Sequence, residues 1–127
     1  MFEITVEKTF AAAHAIRLSE TLVEPIHGHN WPLRVTVASE ELDAIETVMD
    51  FHDLEKTIDA LIAQVHNRHL NEVPPFGTEK GQINPSAERV AWWFGTEVAK
   101  TLPAHVHLVS VSVGEAPGCT ATWRPRR

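Results

Sequence analysis

The chain contains very little cysteine, with Cys119 as its single thiol among 127 residues. One thiol cannot form an internal disulfide, so the fold does not depend on an oxidising compartment. Charged residues or proline interrupt every apolar run well before the roughly 18 residues that a membrane-spanning helix requires. The first ten residues also lack the layout of a secretory signal peptide. We therefore expect a cytoplasmic protein with no membrane partner.

Positive charge is scarce, because 11 lysines and arginines face 17 acidic residues and the formal net charge is −6. Nucleic-acid binding needs a basic patch, which the sequence does not show, so no nucleic-acid partner is expected. The proportions of hydrophobic residues, 43%, and charged residues, 22%, are those of a globular chain. The length suits one domain, residues 1–127, with a single core.

The first third of the chain predicts two strands joined by a long loop. Residues 2–10 alternate between apolar and polar side chains, and residues 33–38 do the same. A period of two is expected of a strand with one buried face. The stretch between them contains Pro25 and Gly28 and is long enough to be a functional loop.

The rest of the chain predicts two helices followed by two strands. Apolar residues recur at spacings of three and four over residues 53–65, and a second helix is predicted from Asn84, as its N-cap, to about residue 100. Residues 106–113 and 120–123 have strand character. The order β-β-α-α-β-β predicts an α+β domain, an antiparallel sheet with two helices on one face.

Three histidines form a candidate metal site. His27 and His29 lie two residues apart, so in an extended segment both imidazoles emerge on one face. Antiparallel pairing of the first two strands would bring His14 beside them. Three protein ligands leave a fourth tetrahedral position open for water or substrate, which is typical of catalytic zinc, although imidazole also suits copper, iron and nickel. A chance H-x-H pair among eight histidines is the competing interpretation.

Six short motifs occur in order over almost the whole chain. They are FAAAH (10–14), HGHNW (27–31), VMDF (48–51), HLN (69–71), NPSAE (84–88) and VGE (113–115). Together these ordered motifs are more specific than any one of them. They resemble those of the 6-pyruvoyltetrahydropterin synthase family, which includes the 6-carboxytetrahydropterin synthases of queuosine biosynthesis.

The resemblance implies a tunnelling fold (T-fold) of four antiparallel strands and two helices, assembled in the family as a homohexamer of two stacked trimers. We therefore expect a homo-oligomer, a trimer or a hexamer. It implies that His14, His27 and His29 bind Zn²⁺ and that Glu115 anchors a pterin ring. Carboxylate oxygens can accept paired hydrogen bonds from the ring N–H and amino groups. The alternative for Glu115 is a solvated residue at a strand end.

The implied chemistry starts with the removal of a side-chain proton from 7,8-dihydroneopterin triphosphate. Zinc would act as a Lewis acid and as a template for the side-chain hydroxyls. Loss of triphosphate or cleavage of a carbon–carbon bond would follow. The small-molecule partner implied by the resemblance is thus a reduced pterin.

The chain departs from the family at the groups that move protons. The family's basic cysteine lies four residues before the first histidine of HGH, a position that Val23 occupies. The neighbouring Glu24 is our candidate base, and a solvated loop carboxylate is the alternative. The family's Asp-His pair falls on His66 and Asn67. His66 is the second catalytic candidate, against a role as a helix-capping residue.

These features leave three hypotheses. The first is a zinc-dependent lyase of reduced pterins in which Glu24 or His66 handles protons. The second is a pterin-binding homologue that has lost the synthase activity. The third is a zinc ion that only stabilises the loop, which an open three-histidine site disfavours.

Overall fold

The computed structural model describes residues 1–126. Its strands and helices follow one another in the order β1, β2, α1, β3, a short 3₁₀ helix, α2, β4 and β5. Their bounds are β1 Phe2–His14, β2 His27–Ser39, α1 Phe51–Val65, β3 Arg68–His69, the 3₁₀ helix Leu70–Glu72, α2 Ala87–Ala99, β4 His107–Ala116 and β5 Cys119–Trp123.

The strands form one five-stranded sheet in the order β3-β1-β2-β4-β5. β1 and β2 pair antiparallel along their whole length, from Phe2 opposite Ser39 to His14 opposite His27. β3 is parallel to β1, while β4 pairs antiparallel with both β2 and β5. The α+β class and the β-β-α-α-β-β order of the main elements are confirmed. The sequence did not predict β3, because two residues are too short for a periodic pattern.

The core lies between one face of the sheet and the two helices. Alternate residues of β2 are buried, and they pack with residues spaced three and four apart on the helices. The parallel rings of Phe10 and Trp31, with centroids 5.8 Å apart, lie in this layer. Burial of such apolar area is the main term that stabilises the fold. The buried set includes Leu33, Val35 and Val37 of β2, Leu54 and Ile58 of α1, and Val90 and Phe94 of α2.

The structure differs from the sequence-based prediction at element ends. β1 and β2 extend through residues 11–14 and 27–32, which the sequence predicted as loop. Alanine, histidine and glycine carry no apolar alternation there, but the backbone ladder continues. α2 begins at Ala87 because the Ser86 hydroxyl accepts a hydrogen bond from the Arg89 N–H, so Asn84 is not its cap.

Within residues 1–126, no helix is both long and apolar enough to cross a membrane.

Candidate metal centre

The pairing of β1 and β2 brings the three predicted ligand histidines together. His14 lies directly opposite His27, and His29 lies opposite Ala12. Residues two apart on a strand share a face, so all three imidazoles lie at the end of the sheet face that carries Trp31. Their ring centroids are 4.7 to 5.1 Å apart. His14 is fully buried, while His27 and His29 are partly exposed.

Glu115, near the end of β4, completes a group of four residues. His14, His27, His29 and Glu115 each offer one ligand atom, and these atoms all lie within 4.8 Å of one another. Glu115 Oε1 is 3.2 Å from His14 Nε2 and 3.3 Å from His29 Nε2. Sequence reasoning assigned Glu115 to the pterin ring alone, and the structure brings it into the histidine group as well.

Hydrogen bonds fix two of the imidazoles in the form that binds a metal. His14 Nδ1 donates to the Pro85 carbonyl oxygen at 2.8 Å, and His27 Nδ1 donates to the Pro25 carbonyl oxygen at 3.0 Å. A carbonyl oxygen can only accept, so the proton of each neutral ring is on Nδ1 and the lone pair is on Nε2.

Two of the candidate ligand atoms have no hydrogen-bond partner. Nε2 of His14 and Nε2 of His29 are both buried and unbonded, because the close Glu115 oxygen does not meet hydrogen-bond geometry. Buried polar atoms are rarely left unsatisfied, and a cation among these nitrogens would satisfy them. The residues therefore fit a metal ion, and nitrogen with carboxylate oxygen is a donor set that several transition metals accept.

The pKa of His29 lies below its ordinary value. Burial of the imidazole is the largest cause, and the neighbouring His14 adds to it, while the Glu115 carboxylate acts in the opposite direction. A lowered pKa keeps the imidazole neutral, and the neutral imidazole is the form that ligates a metal.

Glu24 lies beside this group and is held by backbone contacts. Its Oε1 accepts a hydrogen bond from the Ile16 N–H at 2.9 Å and lies 3.8 Å from His27 Nε2. The Glu24 N–H in turn donates to the Ile16 carbonyl oxygen at 2.9 Å. The structure thus brings this candidate base next to the histidines.

Two asparagine side chains hold the segment that follows His14. Asn71 accepts from the Ala15 N–H at 2.9 Å and donates to the Ala15 carbonyl oxygen at 2.8 Å. Asn84 makes the same pair of bonds to Arg17, both at 2.9 Å. Sequence reasoning missed this role, although both asparagines lie in the HLN and NPSAE motifs.

His66 takes a different position from the histidine group. It is the C-cap of α1, it is exposed, and its Nδ1 accepts a hydrogen bond from the Ala11 N–H at 3.1 Å. His69, three residues on, lies in β3 opposite Ala13. The turn between α1 and β3 runs through Asn67, whose φ of 58° is one that asparagine tolerates better than most residues.

Two cavities have His29 in their lining. The first, the Glu115 cavity, has a volume of about 520 Å³ and is lined in part by Pro32, Gly114, Glu115 and Pro117. The second, the Arg68 cavity, has a volume of about 550 Å³. Its lining residues are Ala11, Ala12, Ala13, Gly28, His29, Asn30, Asn67, Arg68 and His69. His29 and Asn30 line both cavities.

Comparison with known proteins identifies the family of the chain. A sequence model described as 6-pyruvoyl tetrahydropterin synthase matches residues 3–126. The chain belongs to the 6-pyruvoyl tetrahydropterin synthase family. The resemblance inferred from the motifs is therefore confirmed, and the chain is a pterin enzyme of this family.

Named members of the family include an aldolase and a synthase. The chain is 34% identical over 107 residues, 84% of its length and 83% of the relative's, to a dihydroneopterin monophosphate aldolase of Pyrococcus furiosus. It is 32% identical over 116 residues, 87% of its length and 85% of the relative's, to a 6-carboxy-5,6,7,8-tetrahydropterin synthase of Synechocystis. These names support a lyase-type activity.

The fold is that of solved structures in the family. A 6-pyruvoyltetrahydropterin synthase of Plasmodium vivax, solved as a variant in which a glutamate described as a catalytic residue is replaced by alanine, aligns with a TM-score of 0.76. The alignment covers 99% of this chain and 98% of that one at 16% identity. The likeness confirms the T-fold predicted from the motifs.

Proposed function

We propose that this chain is a zinc-dependent carbon–carbon lyase that shortens the side chain of a phosphorylated 7,8-dihydroneopterin. The observation that carries the proposal is the position of Glu24, whose Oε1 lies 3.8 Å from a candidate metal-ligand atom, His27 Nε2. Val23 occupies the place of the family's cysteine, so a carboxylate replaces a thiol as the base. The Pyrococcus relative, named an aldolase of dihydroneopterin monophosphate, supports this choice of reaction.

The metal site in the proposal consists of His14, His27 and His29, with Glu115 near them. Three imidazoles and an open position are the usual catalytic zinc arrangement. When bound, zinc supplies a Lewis acid and a template for the side-chain hydroxyls of the substrate.

The chain's own residues would move the protons. Glu24 Oε1 accepts a hydrogen bond from the Ile16 N–H. The second carboxylate oxygen of Glu24 is left to accept the proton of the substrate's 2′-hydroxyl. The C1′–C2′ bond then breaks, C2′ becomes an aldehyde carbon, and the electron pair on C1′ delocalises into the C6–N5 imine. A proton returned to C1′ completes the shortened pterin and leaves the carboxylate as it began.

A glutamate is chemically suited to this step. A positioned general base contributes about 10²- to 10⁴-fold to a rate when its proton transfer is in the transition state. In the Plasmodium vivax protein a glutamate is described as a catalytic residue. His66 remains the second candidate for proton transfer in our proposal.

Glu115 is the proposed anchor of the pterin ring. It lines the Glu115 cavity together with proline, glycine and alanine residues and with polar residues such as Asn30 and Ser112. A carboxylate can accept two parallel hydrogen bonds from the ring N–H and the 2-amino group, which selects 2-amino-4-oxo pteridines.

We also propose that the chain forms a homo-oligomer, a trimer or a hexamer. On the outer side of β1, β3 pairs with Ala12 and Ala13 alone among the described residues, and β5 is the other end of the strand order. Unpaired strand edges are usually covered or shared between subunits. Light scattering on the purified protein tests the assembly.

The function is tested by supplying the zinc-loaded protein with dihydroneopterin, its monophosphate and its triphosphate. We expect cleavage of the monophosphate into a 6-hydroxymethyl-dihydropterin and glycolaldehyde phosphate, both identified by mass spectrometry. Release of tripolyphosphate with a pyruvoyl or carboxyl product would instead establish a synthase, the activity named for the Synechocystis relative. Pterin binding that depends on Glu115, without turnover of any substrate, would establish the binding homologue.

A further inference from the structure

The segment that follows β1 is hydrogen-bonded along both of its edges. In an extended segment, consecutive residues direct their backbone N–H and carbonyl groups to opposite edges. Both backbone groups of Ile16 bond to Glu24. The backbone groups of Ala15 and Arg17 bond instead to asparagine side chains from distant parts of the chain. The path from the candidate ligand His14 to Arg17 is therefore fixed on two sides.

Glu24 lies on the returning arm of a small hairpin. Arg17 and Val23 form an isolated antiparallel bridge in this hairpin. Glu24 then bonds twice to Ile16, because its N–H donates to the Ile16 carbonyl oxygen and its Oε1 accepts from the Ile16 N–H, both at 2.9 Å. The direction of the Glu24 carboxylate thus depends on where the backbone of residue 16 lies.

The side chain of Asn84 holds the neighbouring residue, Arg17, at two points. Its Oδ1 accepts from the Arg17 N–H and its Nδ2 donates to the Arg17 carbonyl oxygen, both at 2.9 Å and across 67 residues of sequence. A primary amide offers the same donor and acceptor as a neighbouring strand. Asn84 lies two residues before Ser86, the N-cap of α2. The start of α2 is therefore tied to the hairpin that carries Glu24.

Asn71 makes the equivalent pair of bonds on the other side of Ile16. Its amide bonds to the N–H and the carbonyl oxygen of Ala15, which directly follows His14. Asn71 thus adjoins a candidate metal ligand, whereas Asn84 holds Arg17 on the side of the hairpin. This division allows the contribution of Asn84 to be measured separately from that of the metal.

We propose that Asn84 is a positioning residue for Glu24, which it holds beside the ligand histidines through Arg17 and Ile16. The inference rests on the proposed function, in which Glu24 is the base, and deepens it. Glu24 Oε1 lies 3.8 Å from His27 Nε2, so the carboxylate has a defined place relative to the metal site. A misplacement of a reacting group by about 1 Å can cost about 10²-fold in rate.

The Asn84→Ala variant tests the proposal in the zinc-loaded protein with dihydroneopterin monophosphate. We expect kcat to fall by about 10- to 100-fold, because the base is held less well, while KM and zinc content stay unchanged. A second readout does not depend on turnover. The N–H of Ile16, which donates to Glu24, should exchange with deuterium faster in the variant, as followed by NMR.

The Asp43→Ala variant is the matched control for a loss of stability alone. The Asp43 carboxylate accepts from the N–H groups of Ile45 and Thr47 at 3.1 and 2.9 Å, in the turn that follows β2. This turn lies at the opposite end of β2 from His27. We expect Asp43→Ala to lower the stability in urea as Asn84→Ala does, and to leave kcat and the exchange of the Ile16 N–H unchanged.

A double variant shows whether Asn84 acts through the carboxylate. If it does, the protein with both Asn84→Ala and Glu24→Gln should be no slower than the protein with Glu24→Gln alone, because no base is left to position. Rate losses that multiply in the double variant would mean that Asn84 acts elsewhere, and the proposal would be wrong.

The remaining outcomes separate this proposal from the proposed function. If Asn84→Ala lowers kcat no more than Asp43→Ala does, Asn84 only stabilises the fold and the function stands. If zinc content falls together with kcat, the effect passes through His14 and the assignment to Glu24 is wrong. If Glu24→Gln keeps full turnover, or the unaltered protein turns over no pterin, the proposed function itself fails and the positioning role fails with it.

Discussion

The imidazole of His14 donates a hydrogen bond from Nδ1 to the carbonyl oxygen of Pro85 at 2.8 Å, across 71 residues of sequence. Pro85 immediately precedes Ser86, the N-cap of α2. The start of that helix therefore determines which nitrogen of a candidate metal ligand carries the lone pair. Partners of this kind are known to orient metal-binding histidines and to raise their basicity.

Replacement of a ligand histidine should empty the metal site. His29→Ala removes one of the three nitrogen ligands, and loss of a ligand's hydrogen-bond partner alone typically costs about 10- to 100-fold in metal affinity. We expect zinc content near one per chain in the unaltered protein and near zero in the variant, measured by mass spectrometry of protein purified without added metal. His52→Ala, an exposed histidine on α1, is the control and should keep its metal. Equal metal content in both variants would refute the site.

Replacement of Glu24 should remove turnover and keep the metal. Glu24→Gln keeps a carbonyl oxygen for the Ile16 N–H but cannot accept the substrate proton. We expect kcat to fall by about 10²- to 10⁴-fold with unchanged zinc content and unchanged neopterin binding. Glu20→Gln, an exposed glutamate in the same loop, should leave kcat unaltered. Similar kcat values for the two variants would rule out Glu24 as the base.

The prediction that His66 transfers a proton has its own test. If His66 has this role, His66→Gln should lower kcat by about 100-fold while the free energy of unfolding changes little, because glutamine can still accept from the Ala11 N–H. Steady-state kinetics and urea unfolding measure the two quantities. A variant with full turnover and only a reduced stability would leave His66 as a helix cap.

Loss of the Asn71 amide should destabilise the fold. Asn71→Ala leaves both the N–H and the carbonyl oxygen of Ala15 without their partners. We expect the free energy of unfolding to fall by about 2 kcal/mol, as for two modest hydrogen bonds, and zinc affinity to weaken because Ala15 adjoins His14. Urea unfolding with Gln64→Ala on α1 as control measures the change. A loss no larger than that of the control would show that water replaces the amide without cost.

The ion pair between β1 and α1 should give a pH-dependent stability. Lys8 Nζ lies 2.8 Å from Glu55 Oε2, and its hydrogen bond and charge hold the pKa of Glu55 below the ordinary value. A lowered carboxyl pKa stabilises the folded state above the unfolded pKa, and this contribution is lost as the pH falls through the folded pKa.

The Lys8→Met variant tests that relationship. The pKa of Glu55 should rise toward its ordinary value, as followed by NMR titration of the side-chain carboxyl carbon. The stability difference between the two proteins should be present at neutral pH and should shrink on acidification as Glu55 becomes protonated. A difference that stays constant from neutral to acidic pH would mean that packing of the lysine chain, and not its charge, is responsible.

The periodicity of apolar residues predicts much of the fold. It does not predict the end of the sheet that carries the candidate ligand histidines, where β1 and β2 pair through their backbones. Alternation over residues 2–10 and the spacing in residues 53–65 predict β1 and α1 because side-chain burial produces those periods. The ligand-bearing parts of β1 and β2 have no such alternation, since Ala11–Ala13 and Gly28 are small. These segments are strands because their backbones hydrogen-bond to each other, and a local sequence pattern does not predict such pairing.

The residues of the candidate site also differ in whether the sequence predicts their roles. The histidines and Glu115 could be named from motifs, because chemistry requires those residue types. The roles of Asn71 and Asn84 could not, because each amide bonds to a backbone segment more than fifty residues away in the sequence.

The full-length pairing of β1 with β2 gives a metal ion a role before any substrate arrives. A slip of one residue along a strand turns every side chain to the opposite face. In the native register His14 lies opposite His27 at the last rung of the thirteen-residue strands. A slip by one residue would place His14 on the face opposite to His27 and His29, so an ion that binds all three would discriminate against that misaligned hairpin, and its uptake during refolding would report formation of the correct register.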